Sequence, residues 1–164
     1  MSQEQIFKII SGGQTGADRA GLDWAIANGI PHGGWCPAGR KAEDGTIPHR
    51  YNLNETESPD YPTRTEKNIL DSDATVIFSM NENFDRGTKL TIKLLKKYKK
   101  PYIVIINQKD IENSARILDE FLYKIKPDVL NIAGPRQSAQ PEVYDFALNV
   151  FNKSKWLNKF KTKH

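Results

Sequence analysis

The sequence predicts an α/β domain, namely a three-layer, Rossmann-like fold with a mainly parallel sheet of about five strands flanked by helices. Apolar runs rich in β-branched residues alternate with longer segments of helical periodicity, which is typical of parallel strands joined by crossover helices. A glycine-rich turn separates the first such run from the first helical segment, as in folds that bind ligands at a helix N-terminus. The 164 residues suffice for one core, so we expect a single nucleotide- or cofactor-binding domain over 1–164.

Five segments have the composition of strands. They contain the Val, Ile, Phe and Tyr residues that favour extended backbone, and turn-forming residues bound them. The five predicted strands are residues 6–11, 32–36, 74–80, 102–107 and 129–133. Gly33 and Gly34 dilute the second of these strands, because glycine within a strand has no side chain to pack.

Helical segments fill the intervals between these strands. The first, residues 18–28, is expected to end at Gly29, and Thr63 with Glu66 has the spacing of a capping box that would open the second. Three further helices are predicted at 88–99 before Pro101, at 111–126 before Pro127, and from Pro141 toward Trp156. The interval 37–62 is the longest irregular stretch, and loops of that length are usually functional or disordered.

Cysteine content and hydropathy exclude several classes of protein. Cys36 is the only cysteine, so neither an internal disulfide nor a zinc site with paired cysteines can form, which favours a reducing, cytoplasmic location. Cys36 itself is expected to be a small buried hydrophobe. The first residues are polar and no run of about 18 apolar residues occurs, so we expect neither secretion nor a membrane span.

The distribution of lysines and histidines argues against nucleic-acid and metal chemistry. The five lysines among the last dozen residues account for the formal net charge of +4, and they predict a basic, solvated helical tail from about residue 153. Because no basic patch with interleaved aromatic residues occurs elsewhere, nucleic acid is not an expected partner. His32, His49 and His164 are far apart in the sequence, so no protein-built metal site is expected.

An anion-binding site is predicted at the turn after the first strand, Ser11-Gly12-Gly13-Gln14-Thr15-Gly16-Ala17-Asp18. Glycines let the backbone turn sharply and let a phosphate approach the N–H groups at the start of the next helix, although they also serve tight turns that bind nothing. A Walker loop is excluded, because Ala17 and Asp18 stand where Lys and Ser or Thr would follow Gly16. A dinucleotide site is disfavoured, because the second strand ends in Trp35-Cys36-Pro37 without a carboxylate for the ribose.

Polar residues from several segments should meet this glycine loop at the carboxyl edge of the sheet, where the loops after parallel strands gather. Four loop arginines, Arg40, Arg64, Arg86 and Arg136, would then share a cleft suited to a multiply anionic ligand. Asp18 would cap its helix or bind a ribose or base edge. The predicted ligand-binding residues are Gly12, Gly13, Gln14, Thr15, Gly16, Asp18, Arg40, Lys41, Arg64, Thr65, Ser79, Arg86, Gly87, Thr88 and Arg136.

Ordered motifs extend over nearly the whole chain except the lysine-rich end. They include G-G-Q-T-G-A-D-R-A-G-L-D at 12–23, G-W-C-P at 34–37, R-K-A-E-D-G at 40–45, G-T at 87–88 and L-N-I-A-G-P-R at 130–136. Together they resemble the family called putative molybdenum carrier. The resemblance implies a Rossmann-like fold related to molybdenum cofactor carrier proteins and to the lysine-decarboxylase-like, or lonely-guy, phosphoribohydrolases. It also implies the molybdenum cofactor or a nucleotide as the phosphorylated ligand, and a homo-oligomeric assembly.

One position departs from the hydrolase relatives in a way that bears on catalysis. Those relatives carry the motif P-G-G-x-G-T-x-x-E, and here Gly87 and Thr88 match it whereas Thr91 stands at the position of the glutamate. A threonine cannot serve as the carboxylate acid or base of such a hydrolysis, so binding without this chemistry is the preferred interpretation. Two alternatives remain open: a nucleotide-processing hydrolase that uses Glu43, Asp44 or Glu66 instead, and a nucleotide-sensing regulatory protein.

Overall fold

The computed structural model describes residues 6–162, so the polar residues 1–5, Lys163 and His164 lie outside it. Within that range the chain forms nine short strands and six helices. The strands are β1 (Lys8–Ser11), β2 (His32–Gly33), β3 (Trp35–Cys36), β4 (Lys41–Ala42), β5 (Gly45–Thr46), β6 (Asn54–Glu55), β7 (Ala74–Ser79), β8 (Tyr102–Ile106) and β9 (Val129–Ala133). The helices are α1 (Ala17–Ala27), α2 (Tyr61–Asp71), α3 (Arg86–Lys97), α4 (Ile111–Ile125), α5 (Val143–Lys153) and α6 (Lys155–Asn158).

Five of the strands form a central parallel sheet in the order β2-β1-β9-β7-β8, which confirms the predicted fold class. The strand that comes last in the sequence, β9, lies between β1 and β7, and its Leu130 pairs with Ile9 on one side and Ala74 on the other. Every residue of β7 is buried. This is expected for a parallel strand with helices packed on both faces of the sheet.

Helices cover both faces of the sheet and divide the core into two layers. Helices α1, α4 and α5 pack on one face, where Phe78 makes edge contacts with Phe146 and Phe151 at ring-centroid distances of 5.9 and 5.1 Å. Helices α2 and α3 cover the other face, where Ile69 and Leu95 are fully buried. Over residues 6–162 no helix combines the length and apolar character needed to cross a membrane.

The predicted second strand is divided at Gly34. Only β2 joins the central sheet, whereas β3 pairs in parallel with β6 in a separate two-stranded sheet. Gly34 has a φ of +124°, and a Cβ at this position would collide with the backbone oxygen of Ser11. The chain therefore changes direction where the sequence predicted a continuous strand, because this glycine permits both the backbone conformation and the close approach.

The interval 37–62 is more regular than the sequence predicted. It contains the antiparallel hairpin of β4 and β5 and the short strand β6. A buried cluster that includes Leu22, Cys36, Ile47 and Tyr51 anchors it against α1. Burial raises the pKa of the Cys36 thiol, and its side chain packs within this cluster as the expected small hydrophobe. Local packing, which propensity alone does not reveal, thus orders this segment.

Two helices begin earlier than predicted. The N-cap of α2 is Asp60, whose carboxylate accepts a hydrogen bond from the Thr63 N–H at 2.9 Å, so the predicted capping box of Thr63 and Glu66 is wrong. Helix α3 likewise begins after Asp85, whose carboxylate accepts from the Thr88 N–H at 2.8 Å. In both cases an aspartate three residues upstream satisfies a backbone donor that would otherwise lack a partner.

The C-terminal segment folds back onto the core instead of ending as a solvated helix. Helix α5 ends at Lys153, and Trp156 in α6 is buried against Phe7, with ring centroids 5.1 Å apart. Phe160 packs on the same Phe7 ring at 4.8 Å, and the Thr162 N–H donates to the Asn28 carbonyl at 3.0 Å. The described lysines of this segment are exposed, as expected, but the aromatic residues between them belong to the core.

Candidate functional site

A cavity of about 360 Å³ opens at the carboxyl edge of the sheet. It lies between the end of β9, which leads to α5 on one face of the sheet, and the end of β7, which leads to α3 on the other face. Parallel α/β sheets bind ligands in crevices of this type. Four segments line the cavity: the glycine loop after β1, the start of α2, the start of α3, and the end of β9 with the loop that follows it. We call this cavity the cleft.

Close backbone packing explains the glycines of the loop. Gly16 is the residue before α1, has a φ of +88°, and would place a Cβ 2.5 Å from the carbonyl oxygen of Pro135 in the loop after β9. A Cβ on Gly12 would lie 2.5 Å from Nη1 of Arg64. The absence of side chains therefore brings the two loops together and leaves room for the guanidinium of Arg64.

Arg64 extends from the first turn of α2 to the glycine loop. Its Nη1 donates to the Gly12 carbonyl at 2.9 Å and lies 3.9 Å from Oδ2 of Asp18, while its Nε donates to the Thr65 hydroxyl at 3.2 Å. Its guanidinium also lies 5.1 Å from the centre of the Tyr61 ring. Arg64 is only 9% exposed, and this burial lowers its pKa although the nearby Asp18 acts in the opposite direction.

Asp18 is the buried acid of the cleft. It is 7% exposed, and its Oδ2 accepts a hydrogen bond at 3.2 Å from the Gln14 N–H, which belongs to the loop and not to the helix. The expectation that Asp18 caps α1 is therefore wrong, since α1 has no side-chain cap. Burial raises the pKa of Asp18 to about 6, against the smaller opposing effects of Arg64 and the Gln14 N–H.

Two more arginines line the cleft with Arg64. Arg86 begins α3, and Arg136 follows β9, where its guanidinium lies 5.7 Å from the centre of the Tyr61 ring. The cleft thus combines three arginines with the N-termini of two helices, each of which carries a partial positive charge. The Thr88 hydroxyl, in the first turn of α3, is buried and has no hydrogen-bond partner within residues 6–162.

The structure brings about half of the predicted ligand-binding residues to the cleft. Those that line it are Gly12, Gln14, Asp18, Arg64, Thr65, Arg86, Gly87 and Arg136. Those that do not are Gly13, Thr15, Gly16, Arg40, Lys41, Ser79 and Thr88. Lys41 remains near, with Nζ 5.1 Å from the centre of the Tyr61 ring.

Arg40 does not join the other three arginines, which corrects the prediction of a four-arginine cleft. Its buried guanidinium donates to four backbone carbonyls of the segment after β5, including those of Ile47 at 3.0 Å and Tyr51 at 2.8 Å. Two of these carbonyls, those of Pro48 and Tyr51, also accept from backbone N–H groups of the same segment, so the guanidinium adds to a local network of hydrogen bonds. Arg40 therefore stabilises the interval 37–62.

Ser79 and Thr15 also have structural partners. The Ser79 hydroxyl donates to the Asn81 carbonyl at 2.6 Å and accepts from the Gln140 amide at 3.0 Å. The Thr15 hydroxyl donates to Glu43 and accepts from the Gln137 N–H at 3.0 Å. The Thr15 contacts join the glycine loop to the β4–β5 hairpin and to the loop after β9, and the Ser79 contacts tie the end of β7 to that same loop.

The carboxylates considered as replacements for the hydrolase glutamate lie outside the cleft. Glu43 accepts from the Ser138 N–H at 3.0 Å, and hydrogen bonds from Ser138 and Thr15 lower its pKa despite partial burial. Asp44 forms a two-pronged ion pair with Arg19, which lowers the pKa of that carboxyl. Glu66 does not line the cleft, whose carboxylates are Asp18 and Asp85.

Several cleft residues escaped the sequence analysis. Tyr61, Asn68 and Asn131 all line the cleft. Asp85 also lines the cleft, and its place before the third predicted helix had already indicated this edge of the sheet. Asn131 occupies an otherwise apolar buried strand, where a polar residue is itself a signal of a hydrogen-bonding role.

The fold and cleft define a Rossmann-like α/β protein with a cationic cavity at the switch point of its sheet. Its sequence matches the model of one family over residues 9–154, and the chain belongs to that family, the circularly permutated YpsA SLOG family. It is also similar to the crystal structure of a protein named "putative molybdenum carrier protein" from Syntrophus aciditrophicus SB, with 46% sequence identity and a TM-score of 0.87 over 91% of this chain and 94% of that chain. These matches confirm the family resemblance seen in the motifs. No curated protein sequence matches the chain.

Proposed function

We propose that the cleft binds a phosphorylated small molecule derived from a nucleotide or a pterin. The observation that carries this proposal is the convergence of Arg64, Arg86 and Arg136 with the N-termini of α2 and α3 on one cavity of about 360 Å³. Guanidinium groups bind phosphate oxygens through paired N–H donors, and helix N-termini add backbone donors and a favourable dipole. The Tyr61 ring, which lies among these cations, offers a flat surface against which a heterocycle can pack.

We further propose that the protein carries its ligand instead of transforming it, with the molybdenum cofactor as the cargo. The name of the similar protein from Syntrophus aciditrophicus SB supports this role. No group of three or more His, Cys, Asp or Glu side chains that could hold a metal ion occurs within residues 6–162, so the proposed contacts are those of the cleft to the organic, phosphorylated part of the cargo.

Native mass spectrometry of freshly purified protein tests the identity of the cargo. We expect an additional mass that corresponds to a phosphorylated pterin or nucleotide and that is released on denaturation. Metal analysis of the same sample then distinguishes a molybdenum-bearing cofactor from a nucleotide. A protein that neither retains such a ligand nor binds phosphorylated pterins or nucleotides when they are added would contradict the proposal.

Replacing Arg136 with alanine should weaken binding of the phosphorylated ligand by about 10- to 100-fold, the equivalent of one lost hydrogen bond to a charged group. Lysine at this position should restore only part of the affinity, because an ammonium retains the charge but not the planar pair of donors. Isothermal titration of the three proteins measures both effects. Arg116→Ala is the matched control, since Arg116 is exposed on α4 and pairs with Glu120 outside the cleft. Equal losses in the Arg136 and Arg116 variants would remove Arg136 from the site.

The wild-type protein should release no free base from nucleoside monophosphates above the background rate. Thr91 lines the cleft where the hydrolase motif has glutamate, and it offers no carboxylate for proton transfer. Its hydroxyl donates to the Gly87 carbonyl at 3.0 Å instead. Chromatography of overnight incubations measures the free base. Base release that disappears in Asp18→Asn or Asp85→Asn would instead assign hydrolysis to the carboxylates of the cleft.

A further inference from the structure

Asp18 is an acid placed where the proposed function requires an anion to bind. Its carboxylate and the guanidinium of Arg64 line the same cavity, with Oδ2 and Nη1 3.9 Å apart. Oδ2 accepts from the Gln14 N–H, whereas Oδ1 has no hydrogen-bond partner among the described residues. A phosphate bound to Arg64 would therefore lie close to a carboxylate that has one unused oxygen.

The charges that line the cleft do not balance when a dianion enters. Three arginines provide three positive charges, and Asp18 and Asp85 provide two negative charges. A phosphate monoester or another dianion makes the total negative, in a site where burial weakens screening by water. One proton taken up by a carboxylate restores neutrality and removes the repulsion.

We propose that Asp18 takes up a proton from solvent when an oxyanion binds, and that it then donates a hydrogen bond from this carboxyl group to the bound anion. This inference rests on the proposed function, since it concerns the same cleft and the same class of ligand. No bond of the ligand is broken: a proton moves from water or buffer to Asp18, and the anion stays intact. Asp18 is thereby a ligand-binding residue that makes the site specific for acceptor-rich, tetrahedral anions.

Asp18 is better placed than Asp85 to accept this proton. The Asp85 carboxylate is already engaged as the cap of α3, where it accepts from the Thr88 N–H at 2.8 Å. Burial already brings the pKa of Asp18 to about 6, so a small additional negative potential is enough to hold its proton near neutral pH.

The charged groups around Asp18 act in both directions. Arg64 of α2 and Arg19 of α1 favour its ionised form, and Asp85 before α3 favours the protonated form. Arg86 and Arg136 face the same cavity. A bound dianion neutralises the arginines as well as repelling Asp18, so both of its effects favour protonation of Asp18.

Sulfate is a suitable probe, because it is a tetrahedral dianion that does not itself titrate near neutral pH. Calorimetric titration at pH 7 in buffers of different ionisation enthalpy measures the protons taken up with each sulfate. We expect wild-type protein to take up close to one proton, and its affinity for sulfate to fall by about tenfold or more between pH 6 and pH 8 because proton uptake and binding are linked.

Asp18→Asn and Asp85→Asn are the paired variants. The Asp18 variant cannot titrate at this position, so it should bind sulfate without proton uptake. Its affinity for sulfate should not change with pH, and at pH 8 it should exceed the wild-type affinity by about tenfold or more. The Asp85 variant keeps a side-chain oxygen for the helix cap but removes one negative charge from the cleft, so it should take up a smaller fraction of a proton with each sulfate and show a weaker dependence of affinity on pH than wild-type protein.

Three results would overturn this inference. Sulfate binding by the wild-type protein without proton uptake would refute the role of Asp18 while the proposed function stands. Proton uptake that persists in Asp18→Asn would assign the proton to another group. Failure of wild-type protein to bind sulfate or any phosphorylated ligand, at pH 6 as well as at pH 8, would refute the proposed function together with the inference.

Discussion

Replacing Gly16 with alanine should lower the free energy of unfolding by about 4 kcal/mol, the sum of a disfavoured backbone conformation and a steric overlap. Gly16 has a φ of +88° and a ψ of −132°, a region that residues with a Cβ avoid. The new Cβ would also lie 2.5 Å from the Pro135 oxygen and 3.1 Å from the Gln137 nitrogen, both of which are backbone atoms. Chemical denaturation monitored by circular dichroism measures the loss.

Gly39→Ala is the control that separates the two contributions. Gly39 has a φ of +80°, close to that of Gly16, but among the described residues no atom beyond its chain neighbours lies within 4 Å of the position that its Cβ would occupy. Only the backbone contribution remains, so we expect a loss of about 1–2 kcal/mol. Equal destabilisation of the two variants would show that the loop after β9 moves away and that the glycine loop is not rigidly packed against it.

The sequence predicted the layers of the fold because its patterns report local propensity and burial. Continuous apolar runs such as residues 74–80 correspond to strands buried on both faces. Helix α3 ends at Lys97, slightly before the end predicted from Pro101. The order of the strands was not predictable from these patterns. Nothing in residues 129–133 indicates that this strand lies between β1 and β7, since that placement depends on packing between segments far apart in the sequence.

The site was predicted less completely than the fold, and the arginines show why. Each of Arg40, Arg64, Arg86 and Arg136 was placed by its position in a loop, which predicts the edge of the sheet but not the direction of a side chain. Arg40 has a φ of +55°, and its side chain turns toward the backbone carbonyls of its own segment. A sequence pattern does not distinguish an arginine that satisfies buried carbonyls from one that faces a ligand.

The replacement of Asp18 with asparagine should stabilise the protein at pH 8 by about 3 kcal/mol and have little effect at pH 4. Burial raises the pKa of Asp18 from its ordinary value of 3.8 to about 6 in the folded protein. Between these two values the folded chain binds the proton more tightly than the unfolded chain, so the stability of wild-type protein falls as the pH rises through this window. The loss levels off above about pH 7, where Asp18 is ionised in both states.

Asparagine does not titrate and retains a side-chain oxygen that can accept from the Gln14 N–H, so the variant should not suffer this loss. Urea denaturation of both proteins at pH 4, 5, 6, 7 and 8 in the absence of ligand measures the difference. We expect most of the stability gap to open between pH 4 and pH 6 and the gap to be level from about pH 7 to pH 8. A gap that does not change with pH would mean that Asp18 is ionised throughout, held in that form by Arg64, and would contradict the raised pKa on which its proton uptake depends.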